Sequence, residues 1–292
     1  MSTVILLFAT GLGLGAIYFL VASGLSLIYG LMGVLNFAHG VFLSLGAFLG
    51  WEVAQMIGSN TWAGFATSLV VGALAGAVFA AVTERFIVQR LYNRHIEQVL
   101  VTVGLALAAV ALFDGIWGTD PEFIRGPQWL AQTTNIAGAS IPNDVFVTIS
   151  AALAVLLSIV LFLKKTRFGM VIRAGVENRS MVMALGIDVR TAFTLVFTIG
   201  GAAAGLGGVL ASHYFGYVSP LLGQTLLLYA FIVTVIGGLG SLLGAAIASV
   251  LVALMQQFAN FYLDGTGDFA VVVLLALVLL TKPSGLLGRR QV

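Results

Sequence analysis

The chain has 292 residues, of which 60% are hydrophobic and only 8% are charged, whereas an ordinary soluble domain has about 25% charged residues. This composition excludes a soluble globular protein, and the long uninterrupted apolar runs exclude a membrane β-barrel, whose strands alternate apolar and polar residues. The net charge of +2 gives no indication of nucleic-acid binding, and the absence of cysteine excludes disulfides and thiolate metal sites. We therefore predict an all-α polytopic membrane protein.

Charged residues divide the chain into loops, and their signs predict its orientation in the membrane. Twelve of the 13 basic residues fall in three segments, namely 84–97, 164–190 and the tail from Lys282 onward. The polar breaks near Glu52 and in the loop 114–144 carry mainly acidic residues. Because basic loops stay on the cytoplasmic side, we predict a cytoplasmic C-terminus and, by counting the crossings, an N-terminus outside.

The apolar segments between these loops are the predicted membrane spans. The first run, 4–50, contains no Asp, Glu, Lys or Arg and is long enough for two helices with a cytoplasmic turn near Gly30–Gly33, since one span needs about 20 residues. The segment 226–238 is short for a span, which favours a tilted or partly re-entrant helix. We predict a bundle of about nine transmembrane helices, within a range of eight to ten, in a single transmembrane domain 1–292. The remaining spans are 63–83, 98–117, 145–163, 191–211, 242–262 and 266–281.

Glycine is abundant, with 36 residues in the chain. Small residues four positions apart let membrane helices approach closely, although in so glycine-rich a chain the spacing often arises by chance. Four pairs have it: Gly11 and Gly15, Gly46 and Gly50, Gly72 and Gly76, and Gly201 and Gly205.

The segment 35–40, Leu-Asn-Phe-Ala-His-Gly, places polar side chains within an apolar span. On a helix Asn36 and His39 would lie on the same face. Polar groups in a membrane usually face the bundle interior or a wet cavity, which makes Asn36, His39 and Gly40 candidates for a substrate pathway. The alternative is that both side chains hydrogen-bond to neighbouring helices as structural contacts.

The cytoplasmic loop 164–190 is much longer than a turn between adjacent helices needs. It carries six basic and two acidic residues, and Ile172, Val176, Met183 and Ile187 form a narrow apolar stripe at helical spacing. Spacing alone leaves two interpretations open, a helix that docks a cytoplasmic partner and a helix that lies on anionic lipid.

Four motifs span nearly the whole chain. They are Leu27–Gly30 with Val34–Gly40, Arg173–Asn178 with Ala184–Ile187, Gly237–Ser241 with Gly244–Ala245, and Lys282–Gly288. In sequence and in order these motifs resemble those of the membrane permease subunits of bacterial ABC importers for branched-chain amino acids.

This resemblance implies a set of partners and roles. The family implies a second homologous permease or another copy of the chain, two cytoplasmic ATPase subunits, and an extracytoplasmic substrate-binding protein, in the bacterial inner membrane. It also implies that the loop couples to the ATPase and that the polar patch with Asn36 and His39 lies near the translocation route. The coupling residues carried over are Arg173, Glu177, Asn178, Ala184, Gly186 and Ile187.

We therefore expect a transport subunit rather than an enzyme, working by alternating access, with no catalytic residue, cofactor or metal ion of its own. The sequence lacks a G-x-x-x-x-G-K-[ST] loop, so ATP must be hydrolysed by partner chains. An ion-coupled secondary transporter of a small polar solute is the alternative, and a membrane-embedded enzyme is a more distant one. The motifs do not distinguish leucine, isoleucine and valine from other amino acids, urea or amides.

Overall fold

The computed structural model describes residues 2–33, 36–92, 94–184 and 189–288, without the side chains at 176–180, 183, 184 and 189. The helices are α1 (Ser2–Met32), α2 (His39–Ile57), α3 (Trp62–Phe86), α4 (His95–Trp117), α5 (Asn143–Lys165), α6 (Arg167–Ala184), α7 (Val189–Phe215), α8 (Leu222–Gly237), α9 (Leu242–Tyr262) and α10 (Gly267–Thr281). A short 3-10 turn, Val88–Leu91, links α3 to α4.

Within the described residues, seven helices are long and apolar enough to cross a membrane. Two more, α8 and α10, are apolar but have only 16 and 15 residues. The remaining helix, α6, carries the charges of the loop 164–190. The fold prediction of an all-α polytopic membrane protein is confirmed, and the nine apolar helices in the described part of the chain agree with the predicted number of about nine spans.

The two ends of the bundle differ in charge, and we call them the acidic and the basic end. The acidic end holds Glu52 and the loop 118–142, where β1 (Glu122–Phe123) pairs with β4 (Tyr217–Val218) and β2 (Thr133–Ile136) pairs with β3 (Ala139–Pro142). The basic end holds the α3–α4 connection, α6 and the C-terminal segment. The predicted separation of charge thus corresponds to two ends of one helical bundle.

One predicted boundary is wrong. The polar break expected at Glu52 is helical, since α2 continues to Ile57. The Glu52 carboxylate accepts a hydrogen bond from Trp117 Nε1 at 2.8 Å, so a side chain 65 residues away stabilises it and the carboxylate need not end the helix.

All four Gly-x-x-x-Gly pairs lie at helix contacts. Gly11 and Gly15 face α9, where a Cβ added to Gly15 would lie 3.1 Å from the carbonyl oxygen of Ser249. The other three pairs bring α2, α3 and α7 together, and a Cβ on Gly72 would lie 2.9 Å from Gly46 O. Lipid is as apolar as these helices, so close packing rather than water exclusion holds them together.

The predicted turn at Gly237–Ser241 is present at the basic end. It follows α8 at Gly238, whose φ of +102° is a conformation that favours glycine. Ser241 then caps α9, because its Oγ accepts a hydrogen bond from Gly244 N at 3.0 Å.

Candidate functional site

The connection between α1 and α2 returns into the interior of the bundle. His39, the first residue of α2, lies against Val21 of α1. Val21 is eleven residues before the end of α1 at Met32, a distance of about 16 Å along a helix. The second apolar helix therefore begins well inside the bundle, and the polar residues predicted for the pathway lie at this break.

His39 is completely buried between α1 and α7. Its Nε2 lies 3.0 Å from Val21 O, and because a carbonyl oxygen only accepts, Nε2 carries the hydrogen. The ring fits against Gly24, where an added Cβ would lie 2.7 Å from His39 Cε1. His39 thus makes the hydrogen bond to a neighbouring helix that the sequence analysis gave as the alternative to a pathway role. Its second ring nitrogen, Nδ1, has no partner in the described part of the chain.

The sequence analysis placed Asn36 on a helix, and this prediction is wrong. Asn36 lies in the break that precedes α2. It is 1% exposed, and its Oδ1 accepts a hydrogen bond from Ala38 N at 3.1 Å. Asparagine favours such local bonds over helical ones, which explains why the segment is not helical. The donor Nδ2 is buried and has no partner within the described part of the chain.

Gly40, the second residue of α2, lets the start of this helix pack closely against α8. A Cβ on Gly40 would lie 2.6 Å from Gly223 O, so no larger residue fits without movement. Ser44, one turn further, accepts a hydrogen bond from Gly223 N at 3.0 Å. The N-terminal parts of α2 and α8 therefore meet inside the bundle.

A wall of the break comes from α4, which the sequence analysis did not single out. Phe37 N donates a hydrogen bond to Thr102 Oγ1 at 3.4 Å. Thr102 is fully buried, and Gln98, one turn earlier, is 1% exposed. Two polar residues four apart at the start of an apolar span share one helix face, and this spacing is the signal that could have identified them.

Most of the loop 164–190, predicted to couple to an ATPase, is helical where the structure describes it, as α6. Arg173, Glu177, Asn178 and Ala184 lie on α6, although the side chains of the last three are outside the described part, and Gly186 and Ile187 lie outside the described residues altogether. Ile172, from the predicted apolar stripe, is 2% exposed within the core of the chain itself. Intramolecular packing thus covers this part of the stripe, which neither sequence interpretation anticipated.

Parts of all four motifs come together at the basic end. Gly30 faces Gly240, where an added Cβ would lie 3.0 Å from Cα, and Gly175 of α6 faces Leu31 Cδ1 at 3.1 Å. The C-terminal segment joins the same group, because Leu287 N donates to Gly237 O at 3.0 Å. Four distant parts of the sequence are therefore linked here through the end of α1, which also contacts α6.

A buried carboxylate also lies at this end. Glu84, in the last turn of α3, has no exposed surface and accepts hydrogen bonds from Tyr92 OH and, at 2.6 Å, from Thr194 Oγ1. Tyr92 also packs edge-on against Phe193, with ring centroids 4.9 Å apart. These contacts fix the start of α7, the helix after α6 in the chain, to α3 and to the connection that leads into α4.

Comparison with known proteins agrees with this architecture. Residues 7–281 match the family described as branched-chain amino acid transport system / permease component. The chain is 29% identical to the high-affinity branched-chain amino acid transport system permease protein LivH of Salmonella typhimurium, over 97% of this chain and 94% of that protein. It is 30% identical to BraD of Pseudomonas aeruginosa, named as a permease protein of the same kind of system, over 97% and 95% of the two chains.

Among solved structures, the chain is similar to PsaBC from Streptococcus pneumoniae in complex with Fab, with 17% identity and a TM-score of 0.46 over 96% of this chain and 91% of that chain. The family match covers far more than half of the sequence, and the resemblance seen in the four motifs is confirmed. The protein is a multi-pass membrane transport subunit that belongs to the branched-chain amino acid transport permease family.

Proposed function

We propose that the chain is the permease subunit of an ATP-driven importer that moves branched-chain or similar amino acids across the bacterial inner membrane by alternating access. One observation carries the proposal, the buried polar break between α1 and α2. Asn36 and His39 there keep unpartnered polar atoms among the described residues, and such groups inside a membrane protein usually mark a substrate path. The named activities of LivH and BraD support the substrate class.

The source of energy is proposed to be ATP hydrolysed by two cytoplasmic ATPase subunits. The sequence has no phosphate-binding loop of its own, whereas the basic end carries the charged helix α6, which packs against the end of α1 at Gly175. In this proposal Arg173, Glu177, Asn178, Ala184, Gly186 and Ile187 contact the ATPase. Movement of α6 would reach the bundle through the adjoining start of α7, which is bonded to Glu84.

Two further partners complete the proposed assembly. A second permease, either a homologue or another copy, would face this chain within the membrane, and an extracytoplasmic binding protein would deliver the amino acid to the acidic end. Side-chain selection then belongs to the binding protein, and the permease needs only a few polar contacts along its route.

The test is uptake of radiolabelled leucine into proteoliposomes that contain the chain with its ATPase subunits, a partner permease and the binding protein. We expect uptake to require ATP and to be unaffected by collapse of the proton and sodium gradients. Uptake that proceeds on an ion gradient without the ATPase subunits would instead show a secondary transporter.

A further inference from the structure

Three polar side chains around the break are almost completely buried and belong to two different elements. Asn36 and Gln98 are each 1% exposed and Thr102 is fully buried. The bond from Phe37 N to Thr102 Oγ1 joins the break to α4, and Gln98 lies one turn from Thr102 on the same helix face. The structure thus places a small group of buried polar side chains where the break meets α4.

The unpartnered atoms in this group have complementary chemistry. Asn36 Oδ1 accepts from Ala38 N, which fixes the orientation of the amide and leaves Nδ2 as a donor without a partner among the described residues. Gln98 Oε1 is an acceptor without a partner in the same part of the chain. Burying an unpaired polar group is unfavourable, and such groups call for an explanation such as a ligand.

A donor on one side and an acceptor on the other fit a zwitterion. A carboxylate only accepts hydrogen bonds and an ammonium group only donates them. We propose, building on the proposed function, that Asn36 binds the α-carboxylate and Gln98 the α-ammonium of the transported amino acid as it passes between the break and α4, with Thr102 holding the two sides in register. The permease then recognises the amino-acid head group and not its side chain.

The attachment of α4 shows where this contact can open. At the acidic end Trp117 donates to Glu52 and stacks on Phe48, with ring centroids 4.5 Å apart and planes at 11°. Toward the basic end the hydrogen bond between α4 and the break is the longer one, 3.4 Å from Phe37 N to Thr102 Oγ1. We therefore expect α4 to separate from the break more readily at this end, so that the passage opens toward the basic end.

Transport and stability together test the role of Gln98. Gln98→Leu replaces the amide with an apolar side chain and so removes the acceptor, and Gln257→Leu is the matched control, since Gln257 bonds instead to Thr10. In the complete transporter we expect Gln98→Leu to lower leucine uptake about tenfold or more and its melting temperature to stay equal or rise. A large fall in melting temperature, or unchanged uptake, would show a structural role instead.

Labelling tests the chemistry of recognition directly. The chain has no cysteine, and Phe37, which is 37% exposed, can be replaced by Phe37→Cys in the complete transporter. We expect leucine to slow maleimide labelling, whereas 4-methylpentanoate, which lacks the ammonium group, and 3-methylbutylamine, which lacks the carboxylate, have no effect. Asn36→Leu should abolish the protection. Equal protection by all three compounds would overturn the zwitterion assignment.

The two proposals fail separately. If uptake runs on an ion gradient without ATP, the proposed function is wrong whatever the labelling shows. If uptake depends on ATP but is indifferent to Asn36→Leu and Gln98→Leu, the proposed head-group site is wrong and the importer assignment stands.

Discussion

Glu84 shows how single polar residues are accommodated inside this bundle. Its carboxylate is buried in the last turn of α3, and two hydroxyl groups donate to it, Tyr92 OH and Thr194 Oγ1. Hydrogen bonds to a charged acceptor are stronger than those between neutral groups. The arrangement therefore fixes three elements around one acid at the basic end.

The contribution of this bond can be measured with a matched pair of substitutions on α7. Thr194→Val removes a donor to Glu84, whereas Thr198→Val removes a hydroxyl that bonds to the Thr194 backbone carbonyl. We expect Thr194→Val to cost about 1–3 kcal/mol, because a buried carboxylate loses a partner, and Thr198→Val to cost less. Thermal unfolding in detergent measures both. Equal losses would mean that the bond to Glu84 adds no stability.

The elements of the bundle differ sharply in how closely they pack. The contact of α3 with α7 is made by glycines, and a Cβ on Gly205 would overlap Gly72 O. By contrast, Gly104 of α4 has no atom within 4 Å of an added Cβ. The first contact behaves as a rigid unit, whereas α4 presents one face to the bundle and leaves the other uncovered by this chain.

This contrast predicts opposite effects of the same substitution. Gly205→Ala should lower stability by about 1–3 kcal/mol, because the added methyl group forces two backbones apart. Gly104→Ala should be neutral or stabilising by up to about 1 kcal/mol, because alanine favours the helix. Melting temperatures of the two purified variants test this. A comparable loss in both would show that α4 packs more tightly than the structure indicates.

The proposed contact between α6 and the ATPase subunits can be tested by reversing one charge on this helix. Glu177→Lys reverses a charge on α6, and Glu97→Lys makes the same change on an exposed residue at the start of α4, whose ion pair with Arg94 is worth little. We expect Glu177→Lys to abolish uptake and co-purification of the ATPase subunits while the chain stays in the membrane, and Glu97→Lys to retain both. Retained ATPase binding in Glu177→Lys would contradict the docking assignment.

The helices of this bundle could be predicted from the sequence, whereas the contacts between them inside the bundle could not. Uninterrupted apolar runs define a membrane span whatever lies beside it, which is why α9 was predicted at its observed bounds. The end of α2 depends on Trp117, and the wall of the break depends on Thr102, both far away in the sequence. Asn36 was misplaced onto a helix because the local bond from Ala38 N competes with the helix, and periodicity does not register that competition.

The orientation of the whole bundle follows from charge, and it remains a prediction that labelling can decide. The structure places Asn60 between α2 and α3 at the acidic end and Lys165 at the end of α5 at the basic end, both exposed. Because the chain has no cysteine, Asn60→Cys and Lys165→Cys each create one reactive thiol. By the positive-inside rule, a membrane-impermeant maleimide should label Asn60→Cys in intact cells and Lys165→Cys only after permeabilisation. The unsubstituted chain gives the background labelling. The reverse labelling pattern would show that the bundle has the opposite orientation in the membrane, with α6 on the side that a cytoplasmic ATPase cannot reach.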